Sequence, residues 1–222
     1  MHTNLNKVIL VTFLSSVITS CIAQPKNQIS PKSSLITVDK TLGTSNESAQ
    51  NRPTNKTVTI SVEGEKISIP VKLYQAKNLF STYFPATDFL VQSEDAKNIK
   101  VVKFIANFGG DKNENAYIQF TFPNNLKTVE EVREFINRKN GLIASSQWQV
   151  ISRSSTVTYP WAKEKIAFSK GEDIVGDIYI GSQNGKLFYV ITHLPLEYRD
   201  GFTPREYLIL NNLEISGERQ SN

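Results

Sequence analysis

The placement of aromatic side chains most limits where this chain can fold. It has 222 residues, among them 12 Phe, 8 Tyr and 2 Trp, and every one of these except Phe13 lies beyond residue 57. Large rings supply much of a core's buried area. A core is therefore expected after residue 57 and not before it. Residues 22–56 contain no ring and are rich in Ser, Thr, Asn, Gln and Pro; after Ile29 only Leu35, Ile36, Val38 and Leu42 are large and apolar. Such a stretch cannot bury enough surface to offset the entropy of ordering it. It reads as a flexible linker with a root-mean-square reach of roughly 30–35 Å. Residues 57–222 read as one domain of ordinary size.

Within that domain the apolar pattern is mostly two-fold. Val58, Ile60 and Val62 alternate with polar residues, as do Ile67, Ile69, Val71 and Leu73 beyond Gly64, which predicts a hairpin. Pro85 breaks the apolar run 79–91 into two extended pieces. Strands are expected at 100–108 and 116–122 around a polar turn at 109–115. Others are expected at 148–152, 161–169, 174–182 and 186–194, the last two joined by Asn184-Gly185. The spacing Thr128…Glu131 is a capping box and predicts a helix over 129–139, with Gly141 as a left-handed stop. A second box, Thr203-Pro204-Arg205-Glu206, predicts a helix running to about Asn212. The expected class is α+β: an antiparallel sheet of six or seven strands with helices packed on it. The run Phe188–Ile191 is apolar enough for a strand covered on both faces.

The N-terminus reads as an address. Lys7 precedes an apolar run, Val8 to Ile18, that as a helix reaches about 16 Å, against a bilayer core of about 30 Å. This is the layout of a signal peptide, residues 1–20. Ile18-Thr19-Ser20-Cys21 resembles the bacterial lipobox, in which a small residue precedes a cysteine that is lipidated and becomes the new N-terminus. Cys21 is the only cysteine in the chain, and it stands where that chemistry needs it. The resemblance implies a lipid anchor at Cys21, a tether over 21–56 and a domain that faces the envelope without crossing a membrane. With Ile rather than Asp at position 22, it also implies outer-membrane sorting if the host is Gram-negative. The alternative is an ordinary signal peptide cut near Ala23-Gln24.

The order of elements is itself informative. Phe80–Pro85 precedes two long antiparallel strands and a capped helix. Trp148-Gln149-Val150, Trp161, Ile180-Gly181, the arm Gly185–Tyr189 and a helix opening near Pro204 follow. This resembles the PsbP/Mog1-like α/β/α sandwich family over roughly residues 57–216. Members of that family act mostly as binding or assembly factors and share no catalytic residue, so the resemblance implies a non-enzymatic role.

Motifs for chemistry are sparse. There is no Gly-x-Ser-x-Gly elbow and no phosphate-cradling loop. His193 is the one imidazole outside the extreme N-terminus and reads as a structural residue at a strand end. Glu172, Asp173 and Asp177 read as a solvated turn rather than a calcium loop. No metal, no cofactor and no catalytic residue are expected. Tyr159, Trp161 and Arg153 form the most suggestive candidate surface, because aromatics and Arg dominate binding hot spots. The competing reading has Trp161 in the core. Tyr198 and Arg199, in a loop before the last helix, and His193 complete the candidate set. The expected partners are a membrane, through the anchor, and another protein. A small-molecule site or an enzyme with an unrecognised site is the alternative. Nucleic acid is not expected: of the formal net charge of +4, the domain from Thr57 contributes none, having 19 residues of each sign.

Overall fold

The computed structural model describes residues 52–96 and 98–217. The leader, Cys21 and most of the expected linker lie outside the described residues. The elements in order are β1 (Asn55–Val62), β2 (Glu65–Ala76), β3 (Phe80–Phe84), β4 (Phe89–Ala96), β5 (Ile99–Phe108) and β6 (Asp111–Pro123). Then come α1 (Val129–Asn137), the one-turn α2 (Leu142–Ser145), β7 (Gln149–Ser154), β8 (Ala162–Lys170), β9 (Ile174–Gln183) and β10 (Lys186–Pro195). A 3-10 turn at Leu196–Tyr198 leads into α3 (Arg199–Asn211), and β11 (Glu214–Ile215) ends the series.

The class is α+β, as expected. Seven strands form one antiparallel sheet in the order β4-β5-β6-β10-β9-β8-β7. The early hairpin does not join it. It forms a second, four-stranded sheet, β1-β2-β3-β11, for which the sequence holds a reason. The alternation buries Ile60 and Val71 on one face while Thr57, Thr59, Ser61, Ser68 and Lys72 stay exposed. A sheet with one polar face fits an outer layer and not a central one.

The centre of the seven-stranded sheet is buried from both sides. On one face Phe104, Ile118, Phe120, Phe188 and Val190 pack against the small sheet and α3. On the other, Ile166, Phe168, Ile178, Ile180 and Ile191 pack against Val132 and Ile136 of α1 and against Trp148. The central strand β10 is buried at seven of its ten positions, as its apolar run implied. Asn184 and Gly185 both take positive φ, 52° and 74°, the left-handed pair that a two-residue hairpin requires.

Four expectations need correction. The polar turn at 109–115 shrinks to Gly109-Gly110, because β6 begins at Asp111; the extra length is taken up by a bulge opposite Ile105. Helix α1 starts on its predicted cap, with Glu131 N–H donating to Thr128 Oγ1 at 3.1 Å, but ends at Asn137. Gly141 is not a left-handed stop: its φ is −82°. It is needed because a Cβ there would collide with the carbonyl oxygens of Phe135, Ile136 and Arg138. The box at Thr203 caps nothing, since α3 already begins at Arg199 and contains Pro204. The backbone N–H that Pro204 lacks would have met the carbonyl of Asp200 in the first turn, where Asp200 is exposed, so the loss is tolerated.

The domain also starts earlier than Thr57. Arg52 donates to Ser81 Oγ at 2.8 Å and to the Asn212 carbonyl at 3.0 Å. Tyr83 Oη donates to the Pro53 carbonyl at 2.9 Å. Residues 52–56, assigned by composition to the linker, belong to the folded unit.

Candidate functional site

The six candidate residues do not converge. Tyr159 and Trp161 are buried, 6% and 3% exposed, and stack on each other at 5.2 Å under α3. Trp161 Nε1–H donates to the Leu210 carbonyl at 3.2 Å. They belong to the core, not to an exposed patch. Arg153 is exposed on β7 and is committed to Glu164 and to Asn137 of α1. Tyr198 is half-buried on Phe108, with ring centroids 5.7 Å apart, while Arg199 is exposed beside it. His193 lies on the opposite face of the sheet, stacked on Tyr117 at 4.9 Å. Its Nδ1–H donates to the Asn115 carbonyl at 2.7 Å, because a carbonyl can only accept. Burial lowers the His193 pKa, so the imidazole is held neutral. Glu172 and Asp173 are exposed on a turn, and Asp177 pairs with Lys165 at 2.8 Å. Among the described residues, no three His, Cys, Asp or Glu cluster to hold a metal.

The structure does assemble two places that sequence patterns did not single out. The first is a buried carboxyl. Glu206 projects from the middle of α3 into the apolar layer and is 8% exposed. The Thr192 hydroxyl hydrogen-bonds it, and Asp177, Tyr159 and Tyr179 are close enough to interact with it electrostatically. Burial first, and the Asp177 carboxylate second, push the Glu206 pKa up to about 8. The phenols of Tyr159 and Tyr179 are raised as well, chiefly by burial and then by Glu206. A signal for this group existed: Phe202, Glu206 and Ile209 fall at i, i+4 and i+7, one stripe of a helix. Reading Glu206 as a capping residue concealed it.

The second place is an open half-face with a groove at its side. Helices α1 and α2 and Trp148 pack over β8, β9 and β10. Toward β4 no helix among the described residues lies over the middle of the same face. Cross-strand partners there form rows: Leu90–Ile105–Tyr117–His193, Gln92–Lys103–Gln119–Ile191 and Glu94–Val101–Thr121–Tyr189. Leu90, Gln92 and Glu94 are exposed, Val101, Lys103, Tyr117 and Gln119 are half-buried, and Ile105, Thr121 and the three β10 residues are buried. Lys103 Nζ sits 3.8 Å over the Tyr117 ring, and burial raises the Tyr117 pKa to about 12. Where this surface meets α1 a groove of about 400 Å³ opens, lined by Ile99, Pro123 and Tyr189 from the sheet and by Glu134, Phe135 and Arg138 from α1 and its C-terminal cap. The Arg138 guanidinium lies 5.1 Å over the Phe135 ring.

No helix among the described residues is long and apolar enough to cross a membrane. Neither a scan against protein-family models nor a search of curated proteins finds a match to this chain.

Proposed function

We propose that this is a lipid-anchored envelope protein of bacterial type, held to a membrane through Cys21, whose domain is a binding module for another protein rather than an enzyme. What supports the reading is the half-face of β4, β5 and β6, partly exposed among the described residues, with the groove beside α1. It mixes apolar floor, amides and single charges of both signs, which is the composition of a protein-recognition surface more than of a reaction centre. The lipobox-like Ile18–Cys21 supplies the anchor. The resemblance to PsbP/Mog1-like domains points to the same class of role.

A photo-crosslinking residue at Gln119 tests it, with Thr59 on the outer face of the small sheet as control. Crosslinking in intact membranes is expected to join the Gln119 probe, and not the Thr59 probe, to one stoichiometric protein. Equal or absent adducts at both sites would refute the reading. The anchor has its own readout: a Cys21→Ala variant is expected in the soluble fraction, and its retention in the membrane refutes lipidation. A small apolar ligand is the second reading, favoured by a groove volume within the usual range for such ligands. Native mass spectrometry of the purified chain would show it as a discrete added mass.

A further inference from the structure

We propose that α3 is a proton-operated latch: it stays docked while Glu206 carries its proton and loosens when that proton leaves. The geometry holds the argument. Glu206 points from the helix into the layer between α3 and the large sheet. Thr192 of β10 hydrogen-bonds it, and it shares its surroundings with Asp177 and Tyr179 of β9, Lys165 of β8, and Tyr159 and Tyr207. An ionised Glu206 would be a second carboxylate beside Asp177. Lys165, the cation that acts on Glu206 among the described residues, is already bound to Asp177 at 2.8 Å. Of the other charges on α3, Arg205 donates through Nε to Asp88 at 2.5 Å and Arg199 and Asp200 are exposed in the first turn, while Arg52 and Lys56 sit on Asn212 at the far end. A buried anion without a free counter-charge can be relieved by letting water in, which here means lifting the helix. The raised Glu206 pKa, about 8, places the change within reach of ordinary alkaline conditions.

Lifting α3 has a second effect. Its last carbonyls are held by Thr82, Trp161 and Arg52, so the helix and the start of the domain at Arg52 are seated together. The latch therefore couples protonation to how the N-terminal end of the domain is fastened. This does not depend on the identity of the partner or on the anchor.

Trp161 is a built-in reporter, because its indole bonds α3 directly. The test follows Trp161 emission in the full chain carrying Trp148→Phe, titrated from pH 6 to pH 9.5. A transition with its midpoint at or below about 8 is expected in this parent, because release of the helix draws the proton off, and it is expected to vanish in Glu206→Gln. An emission that stays flat in the parent, or a transition that persists unchanged in Glu206→Gln, overturns the proposal. If Glu206→Gln does not fold, Asp177→Asn decides. Removing that neighbouring carboxylate is expected to move the midpoint down by about one pH unit, and an unmoved midpoint overturns the latch. Hydrogen exchange adds a spatial check: protection should fall in α3 across the transition and not in α1, and equal loss in both helices would mean general unfolding and sink the idea.

Discussion

At the scale of single residues, two buried ionisable groups shape this domain from opposite sides of the sheet. Glu206 has a folded pKa of about 8 against an ordinary 4.5. Below pH 4.5 it is protonated in both states and contributes no pH dependence. Between 4.5 and 8 the folded state holds one more proton than the unfolded one, so stability falls as pH rises. At pH 7 the accumulated cost is about 3 kcal/mol. Glu206→Gln is expected to recover a comparable amount at pH 7 and little at pH 4.5, as read by urea denaturation at both pH values. His193 works in the other direction. Its pKa is lowered from 6.5 by burial, so the unfolded chain takes up a proton that the folded state refuses. Stability from this group is complete above 6.5 and is lost as pH falls through the folded pKa. A His193→Gln variant is expected to lose less stability than the parent between pH 7 and pH 5, measured by the same denaturation series. That His193 is buried follows from its position at the end of an apolar strand. The acid at 206 was not, because a four-residue capping pattern and a helical core stripe share the same glutamate, and the local pattern is the more conspicuous.

At the scale of elements, the C-terminus of α3 shows how a buried helix end is satisfied. The last carbonyls of a helix have no partner within it. Here Leu208 O accepts from Asn212 Nδ2 at 2.8 Å, Ile209 O from Thr82 Oγ1 at 2.5 Å and Leu210 O from Trp161 Nε1 at 3.2 Å. The donors come from the helix cap, from β3 and from the turn before β8. This explains why a fully buried position of β3 is held by a polar Thr82, and why Trp161 is a core residue and not a surface anchor. Thr82→Val removes the donor that holds the buried Ile209 carbonyl and should cost about 1–3 kcal/mol, whereas Trp161→Phe should cost less through its hydrogen bond, because the Leu213 N–H still reaches the Leu210 carbonyl at 3.4 Å; both are seen as lower denaturation midpoints with unchanged slopes. The strands and α1 were readable from alternation and from the Thr128 cap because those signals are local. The start of α3 was not. It depends on the preceding 3-10 turn and on Phe202, fully buried among Phe89 and Phe108, and those are tertiary contacts that no sequence window contains.

At the scale of the molecule, composition mistakes the edge of a fold when the anchoring residues are polar. Residues 52–56 hold no large apolar side chain, so an entropy argument assigns them to the linker, yet Arg52 is 6% exposed at its side chain. Its guanidinium serves four partners at once. It donates to Ser81 on β3 and to the Asn212 carbonyl at the end of α3, meets Glu214 on β11 at 3.5 Å and lies 4.5 Å over the Tyr83 ring. Lys56 covers the same ring at 3.7 Å. Three pieces of chain far apart in sequence thus meet on one cation, which closes the small sheet against the helix. The carboxylate of Glu214 is 44% exposed, so solvent screens that pair and it contributes little by itself. The hydrogen bonds to Ser81 and Asn212 are made in a part-buried place and are charge-assisted, which makes them the stronger share. Arg52→Ala should therefore destabilise the domain by about 2–4 kcal/mol, and Arg52→Lys should recover only part of this because an ammonium cannot reproduce the planar fork. Glu214→Gln should cost less than 1 kcal/mol. Thermal denaturation of the three variants against the parent checks the order. If Glu214→Gln proved as damaging as Arg52→Ala, the ion pair would be the dominant contact and the account of this junction would be wrong.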